Sequence, residues 1–118
     1  MFCGASTAQS GLPIRGPDYF RDATDLAATL GAAHAIRVKC NGRDDQYWRR
    51  YMYEAPNRGA VRSSLVDAFN EAFTSAGRIY QTCDNRAVEA EADFAVKGQE
   101  IATRMATHYF PQPPERQD

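Results

Sequence analysis

The chain has 118 residues and a mass of 13.1 kDa, enough for one domain and too little for two cores that each stand alone. Lys and Arg number 14 against 15 Asp and Glu, a formal charge of −1, which argues against gripping nucleic acid or an anionic membrane by bulk charge. The longest weakly polar stretch, Leu26 to Ile36, is short and interrupted by Thr29, Gly31 and His34, so no transmembrane segment is expected.

Residues 1–17 read as a flexible N-terminal segment. Ser6-Thr7-Ala8 followed by Gln9 resembles the small-residue end of a signal peptide, although Met1-Phe2-Cys3 lacks a basic start. A signal-peptide remnant whose true start lies upstream, and a frayed tail without a role, are both open readings. Pro13, Gly16 and Pro17 place a loop before the first helix. Asp18 caps that helix, and Tyr19, Leu26, Leu30 and Ala33 recur at helical spacing until about Lys39, where Asn41-Gly42 breaks it. Asp44-Asp45 puts negative charge at the start of a short second helix, about 44–54, stopped by Ala55-Pro56-Asn57. Val61, Leu65, Phe69, Phe73, Ala76 and Tyr80 form the stripe of a third helix that ends at Cys83. Asp84 caps the fourth, with Phe94, Ile101, Met105 and Tyr109 turned inward and Pro111 beyond its end. Residues 111–118 read as a disordered tail. No stretch alternates with period two, so the 18–110 domain is expected to be all-α, a four-helix up-down bundle with a short second helix.

Cys40 closes the first helix and Cys83 the third. In an up-down bundle these helices run in the same direction, so a Cys40–Cys83 disulfide can form at a shared end, leaving Cys3 over. A bridge implies an oxidising compartment; two unrelated thiols in a cytosolic protein are the alternative. The second helix covers about half the length of its neighbours, so either Leu12-Pro13-Ile14 fills the remaining groove or the groove stays open.

Two sets of residues are candidates for function. His34 and Arg37 share a helix face, and with Asn70 they could form a polar network. His34, expected level with Ala76-Gly77, is either a pH-sensing group or a satisfied core histidine. Tyr47, Trp48, Arg50 and Tyr51 make the second helix unusually aromatic and basic, the residue types that dominate binding hot spots. The plainer reading is a wide aromatic core face, with Trp48 and Met52 inside. Gly98 inside the fourth helix suggests a close helix approach or a bulky neighbour such as Trp48. No nucleophile, base and acid stand at motif spacing, and the cysteines and histidines lack metal-ligand spacing. No catalytic residue, metal or cofactor is expected.

The segment Leu30-Gly31-Ala32-Ala33-His34-Ala35-Ile36-Arg37-Val38-Lys39-Cys40 resembles the L-G-x-x-H-x-x-R-x-x-C signature of a family of small bacterial proteins of unknown function. Gln46-Tyr47-Trp48-Arg49, Leu65-Val66-Asp67-Ala68-Phe69-Asn70, Tyr80-Gln81-Thr82-Cys83 and Ile101 to Tyr109 follow in the family's order. The chain departs from the pattern in Tyr51 and Tyr53, in a shorter link into the third helix and in lacking a complete signal peptide. The resemblance implies a periplasmic helical domain with a disulfide, and no activity. The expected function is a non-enzymatic periplasmic domain that binds a protein or cell-envelope component, not nucleic acid, through the aromatic second helix and adjoining groove. The alternative is a stress- or pH-responsive chaperone-like or enzyme-inhibitor module.

Overall fold

Eight consecutive residues, Thr29 to Ile36, are all buried. Successive helical residues turn by about 100°, so eight of them face every direction, and a helix buried all round has neighbours all round. This helix, α1 (Pro17–Asn41), is the axis of the fold. The computed structural model describes residues 17–54 and 62–109, and among them α1 is followed by α2 (Tyr47–Glu54), α3 (Arg62–Ile79) and α4 (Asn85–Tyr109), with no strand. The N-terminal segment, the groove filling by Leu12-Pro13-Ile14 and the C-terminal tail lie outside the described residues. At backbone level α2, α3 and α4 each approach α1, and none approaches another.

Small side chains make this central placement possible. Ala32 and Ala35 of α1 meet Ala76 of α3, with Phe73, Tyr80 and Phe94 packed around them. One turn earlier Gly31 lies against the backbone of Phe69, so close that a Cβ there would overlap the Phe69 carbonyl oxygen and stand 3.0 Å from its Cα. The two helices run parallel, since Gly31 pairs with Phe69 and Cys40 with Cys83. α4 runs antiparallel, with Arg37 beside Glu91, Leu30 beside Gly98, and Tyr19 beside Tyr109. The larger core, Tyr19, Leu26, Leu30, Trp48, Met52, Leu65, Phe69, Ile101 and Met105 among its members, fills the space between them.

Each helix end has a chemical cause. Gly42, at φ 101°, takes the left-handed conformation that ends α1 and returns its N–H to the Val38 carbonyl at 2.8 Å. Asp84 caps α4 by accepting the Ala87 N–H at 2.9 Å. Three expected boundaries are corrected. The first helix begins at Pro17, so Asp18 lies within its first turn rather than capping it from outside. The second helix begins at Tyr47 rather than near 44, because Asp45 is its cap and accepts the Tyr47 N–H at 3.0 Å. The third helix stops at Ile79, not Cys83. Arg86 donates to the Ile79 carbonyl and Gln81 to that of Arg78, so side chains satisfy the final carbonyls, and Lys39 donates to the Gln81 carbonyl in the loop beyond. The loop then carries Cys83 back to Cys40, and the bridge forms with a Cα separation of 5.0 Å.

The early stop shifts the α1–α3 register, and His34 therefore packs against Phe69 and Phe73 rather than level with Ala76-Gly77. Gly98 faces Leu30, Thr29 and Leu26 at 3.5–3.8 Å from an added Cβ, not Trp48. This is ordinary packing distance, so the site has room for a methyl group.

Three stability measurements follow from this architecture. Gly31→Ala forces α1 and α3 apart and is expected to lower the unfolding free energy by about 1–3 kcal/mol or more. Gly98→Ala is expected to be neutral or to stabilise by up to about 1 kcal/mol through helix propensity. Opening the bridge, which closes a loop with a sequence separation of 43, removes about 4 kcal/mol in the chain-entropy description. Urea unfolding of the oxidised, reduced and substituted chains reads all three.

Candidate functional site

The turn between α1 and α2 is organised by one carboxylate. Asp45 accepts the Tyr47 N–H on Oδ1, the Asn41 amide on Oδ2 at 2.8 Å, and the Arg37 Nε on both oxygens at 3.1 and 2.9 Å. Burial works against the charged carboxylate, but these donors outweigh it and hold Asp45 below the ordinary carboxylate range. Arg37 reaches on through Nη1 to Glu91 of α4 at 3.4 Å, and the same Glu91 oxygen accepts the Trp48 indole N–H at 2.9 Å. The orientation of α2 is thus set from both sides: its cap is tied to α1, and its tryptophan to α4.

Tyr47 stands on this framework. The Arg37 guanidinium lies 4.6 Å from its ring centroid, and Trp48 meets it edge-on at 4.7 Å. Tyr47 is nevertheless 50% exposed. Of the four candidate partner-binding residues, Tyr47 and Arg50 are exposed and Tyr51 is half-buried against Trp48 at 5.7 Å. Trp48 is 9% exposed and belongs to the core, so it supports the surface from beneath and does not form part of it.

The expected network of His34, Arg37 and Asn70 is not assembled. Arg37 spends its donors on Asp45 and Glu91. Asn70 follows Phe69 by about 100° around α3. Because Phe69 faces α1, Asn70 turns outward and lines a shallow hollow with Glu71, Thr74, Ser75 and Arg78. His34 is 2% exposed. Its ring centroid lies 5.5 Å from that of Phe69 and 5.3 Å from that of Phe73, and its Nδ1 has no hydrogen-bond partner. Burial, with Arg49 reinforcing it and Asp45 opposing it, shifts its proton affinity below the ordinary histidine range.

A second polar centre, at the opposite end of α1, was not singled out from the sequence. Asp22, 7% exposed, accepts from Arg104 Nη2 at 2.9 Å and from the Tyr109 hydroxyl at 3.1 Å. Arg104 draws the Asp22 carboxyl below its usual range despite burial, with Tyr109 adding to the effect. The signal was present: Asp22 is three residues after Tyr19 and four before Leu26, on the apolar stripe itself. Around it Asp18, Arg21, Asp25, Arg104 and His108 rim an open hollow of about 360 Å³. Among the described residues no three His, Cys, Asp or Glu side chains converge as a metal site, and no helix is long and apolar enough to cross a membrane.

Asp22 and Asp45 both titrate lower in the folded chain than the ordinary 3.8. Their contribution to stability is therefore complete above pH 3.8 and lost as the pH falls through the folded value. Asp22→Asn is expected to lower the Tm at pH 7 by about 4–8 °C, the shift that 1 kcal/mol gives a small domain, and to flatten the fall in Tm below pH 4. Calorimetry between pH 7 and 2.5 checks both.

No curated protein and no solved structure shows a significant match to the chain. A family of proteins of unknown function, DUF2385, matches residues 18–109, which run from the first turn of α1 to the last residue of α4 and include both bridged cysteines. The chain belongs to the DUF2385 family of proteins of unknown function.

Proposed function

We propose that this chain is a non-enzymatic, exported helical domain that binds a protein or cell-envelope component through the outer face of α2. The observation that carries the reading is Tyr47, half-exposed yet clamped between the Arg37 guanidinium and the Trp48 ring. An exposed aromatic ring ordinarily loses side-chain freedom on binding; one already held by its neighbours loses less. Arg50 beside it adds a cation, and Tyr and Arg are the residue types on which binding energy concentrates. The Cys40–Cys83 bridge supports a periplasmic setting, where such a bond persists. Fractionation of the native host tests that setting: the chain is expected in the periplasmic fraction with its bridge closed.

A second reading, a stress- or pH-responsive module, draws on His34, a buried imidazole with an unpartnered Nδ1.

Tyr47→Ala combined with Arg50→Ala is expected to reduce recovery of the partner in envelope cross-linking at least tenfold while the Tm changes by no more than about 2 °C. A large loss of Tm would mean that Tyr47 is part of the core, and unchanged recovery would remove this face from consideration.

A further inference from the structure

Among the described residues α3 is held to the fold at backbone level along one seam, against α1, and only side chains reach it from elsewhere: Arg49 of α2 over the Phe69 ring, and Phe94 and Arg86 of α4 near Phe73, Tyr80 and Ile79. Beyond its C-terminal end the Cys40–Cys83 bridge ties it covalently to the end of α1. Midway along that seam, next to the close approach at Gly31, sits His34. Its imidazole is packed between the Phe69 and Phe73 rings of α3, 2% exposed, with Nδ1 unpartnered. A neutral imidazole is tolerated there as a flat, weakly polar ring. An imidazolium is a double N–H donor whose charge has been withdrawn from water, and on the α3 side it would meet two phenyl rings. The charges on the surrounding elements do not rescue it. Arg49 of α2, its guanidinium 5.3 Å from the Phe69 ring centroid, repels a proton on His34. Asp45, in the turn between α1 and α2, attracts one but is already engaged by Arg37, Asn41 and the Tyr47 N–H. Arg37, on α1 itself, and Glu91, on α4, are paired with each other, and Glu91 also holds Trp48.

We propose that α3 is an acid-released flap: a proton taken from solvent by His34 opens the α1–α3 seam, and the Cys40–Cys83 bridge retains α3 as a tethered hinge. Opening uncovers an apolar surface made of Phe69, Phe73 and Ala76 on one side and Ala32 and Ala35 on the other. This rests on the second reading above and is independent of the Tyr47 surface.

The sign follows from linkage. Burial holds the seam histidine below the ordinary 6.5, so as the pH falls beneath that value the open form binds the proton first and gains population. The gain between pH 7.5 and 5 is bounded at about 30-fold, reached if the closed form takes up no proton. This window lies above the one in which Asp22 and Asp45 lose their charge.

The test is hydrogen exchange on the oxidised full chain at pH 7.5 and 5, corrected for the intrinsic pH dependence of exchange, with a fluorescent apolar dye, anilinonaphthalene sulfonate, in parallel. Protection of residues 62–79 is expected to fall by up to about 30-fold while that of residues 85–109 holds. Dye fluorescence is expected to rise, and both changes to reverse on return to pH 7.5. His34→Phe, which keeps a ring in the seam and cannot take a proton, is expected to abolish the response; Tyr47→Ala is expected to leave it intact. Should His34→Phe fail to fold, the contrast between α3 and α4 in the unsubstituted chain decides. Loss spread evenly over all helices overturns the flap while leaving a general acid response, and a persistent loss at pH 7.5 overturns the tethered hinge. No change between the two pH values overturns both the flap and the second reading.

Discussion

The fold depends on how closely α1 and α3 can approach. With no side chain at Gly31, the α1 backbone reaches that of Phe69, and Ala32, Ala35 and Ala76 continue the same narrow seam. That approach leaves the other sides of α1 free for α4 and α2, so one helix is the common partner of three. The arrangement concentrates stability in one element. Damage to α1 removes every backbone-level helix contact, whereas damage to another helix removes one. The bridge at the far end adds a covalent bond to the one backbone-level pairing of α3.

Burying α1 so completely obliges its polar groups to find partners within the fold. Thr29 returns its hydroxyl to the Asp25 carbonyl at 2.7 Å, Asp22 is met by Arg104 and Tyr109, and Arg37 by Asp45 and Glu91. The two charged centres stand near opposite ends of the α1–α4 pairing. Each removes one wrong register between antiparallel helices, because a slip would leave a partly buried charge without its counterion. Between them the contact is apolar, with Gly98 accepting the side chains of Leu26 and Leu30. His34 is the exception. It lies on the seam toward α3, where its neighbours are aromatic rings, and its Nδ1 goes without a partner.

The same charged centre gives α2 its role. An eight-residue helix is too short to be stable by itself. It is fixed by a cap at Asp45, by Trp48 and Met52 in the core, and by the bond from Trp48 to Glu91. What remains outside is a small rigid face carrying Tyr47 and Arg50. Membership of a family of unknown function supplies no ligand for that face, so the functional reading rests on the geometry of these side chains.

Local chemistry determined much of this protein in advance. Apolar spacing marks the four helices, Asn41-Gly42 and Asp84 mark two of their ends, and the cysteines following the stripes of the first and third helices mark the bridge, because each of these signals acts over a few residues. Trp48 and Met52, four apart, were legible as core for the same reason. Tertiary structure alone decided the rest. A side chain from the next helix, Arg86, satisfies the last carbonyl of α3 at Ile79, and the resulting register places His34 against two rings. Asn70 turns outward because its neighbour Phe69 is claimed by Gly31. Asp22 lies on the stripe in plain view, yet it can be buried only because Arg104 and Tyr109, more than 80 residues away in sequence, arrive beside it. Helix periodicity is written in neighbouring residues, whereas the partner of a buried charge is chosen by whichever helix packs against it.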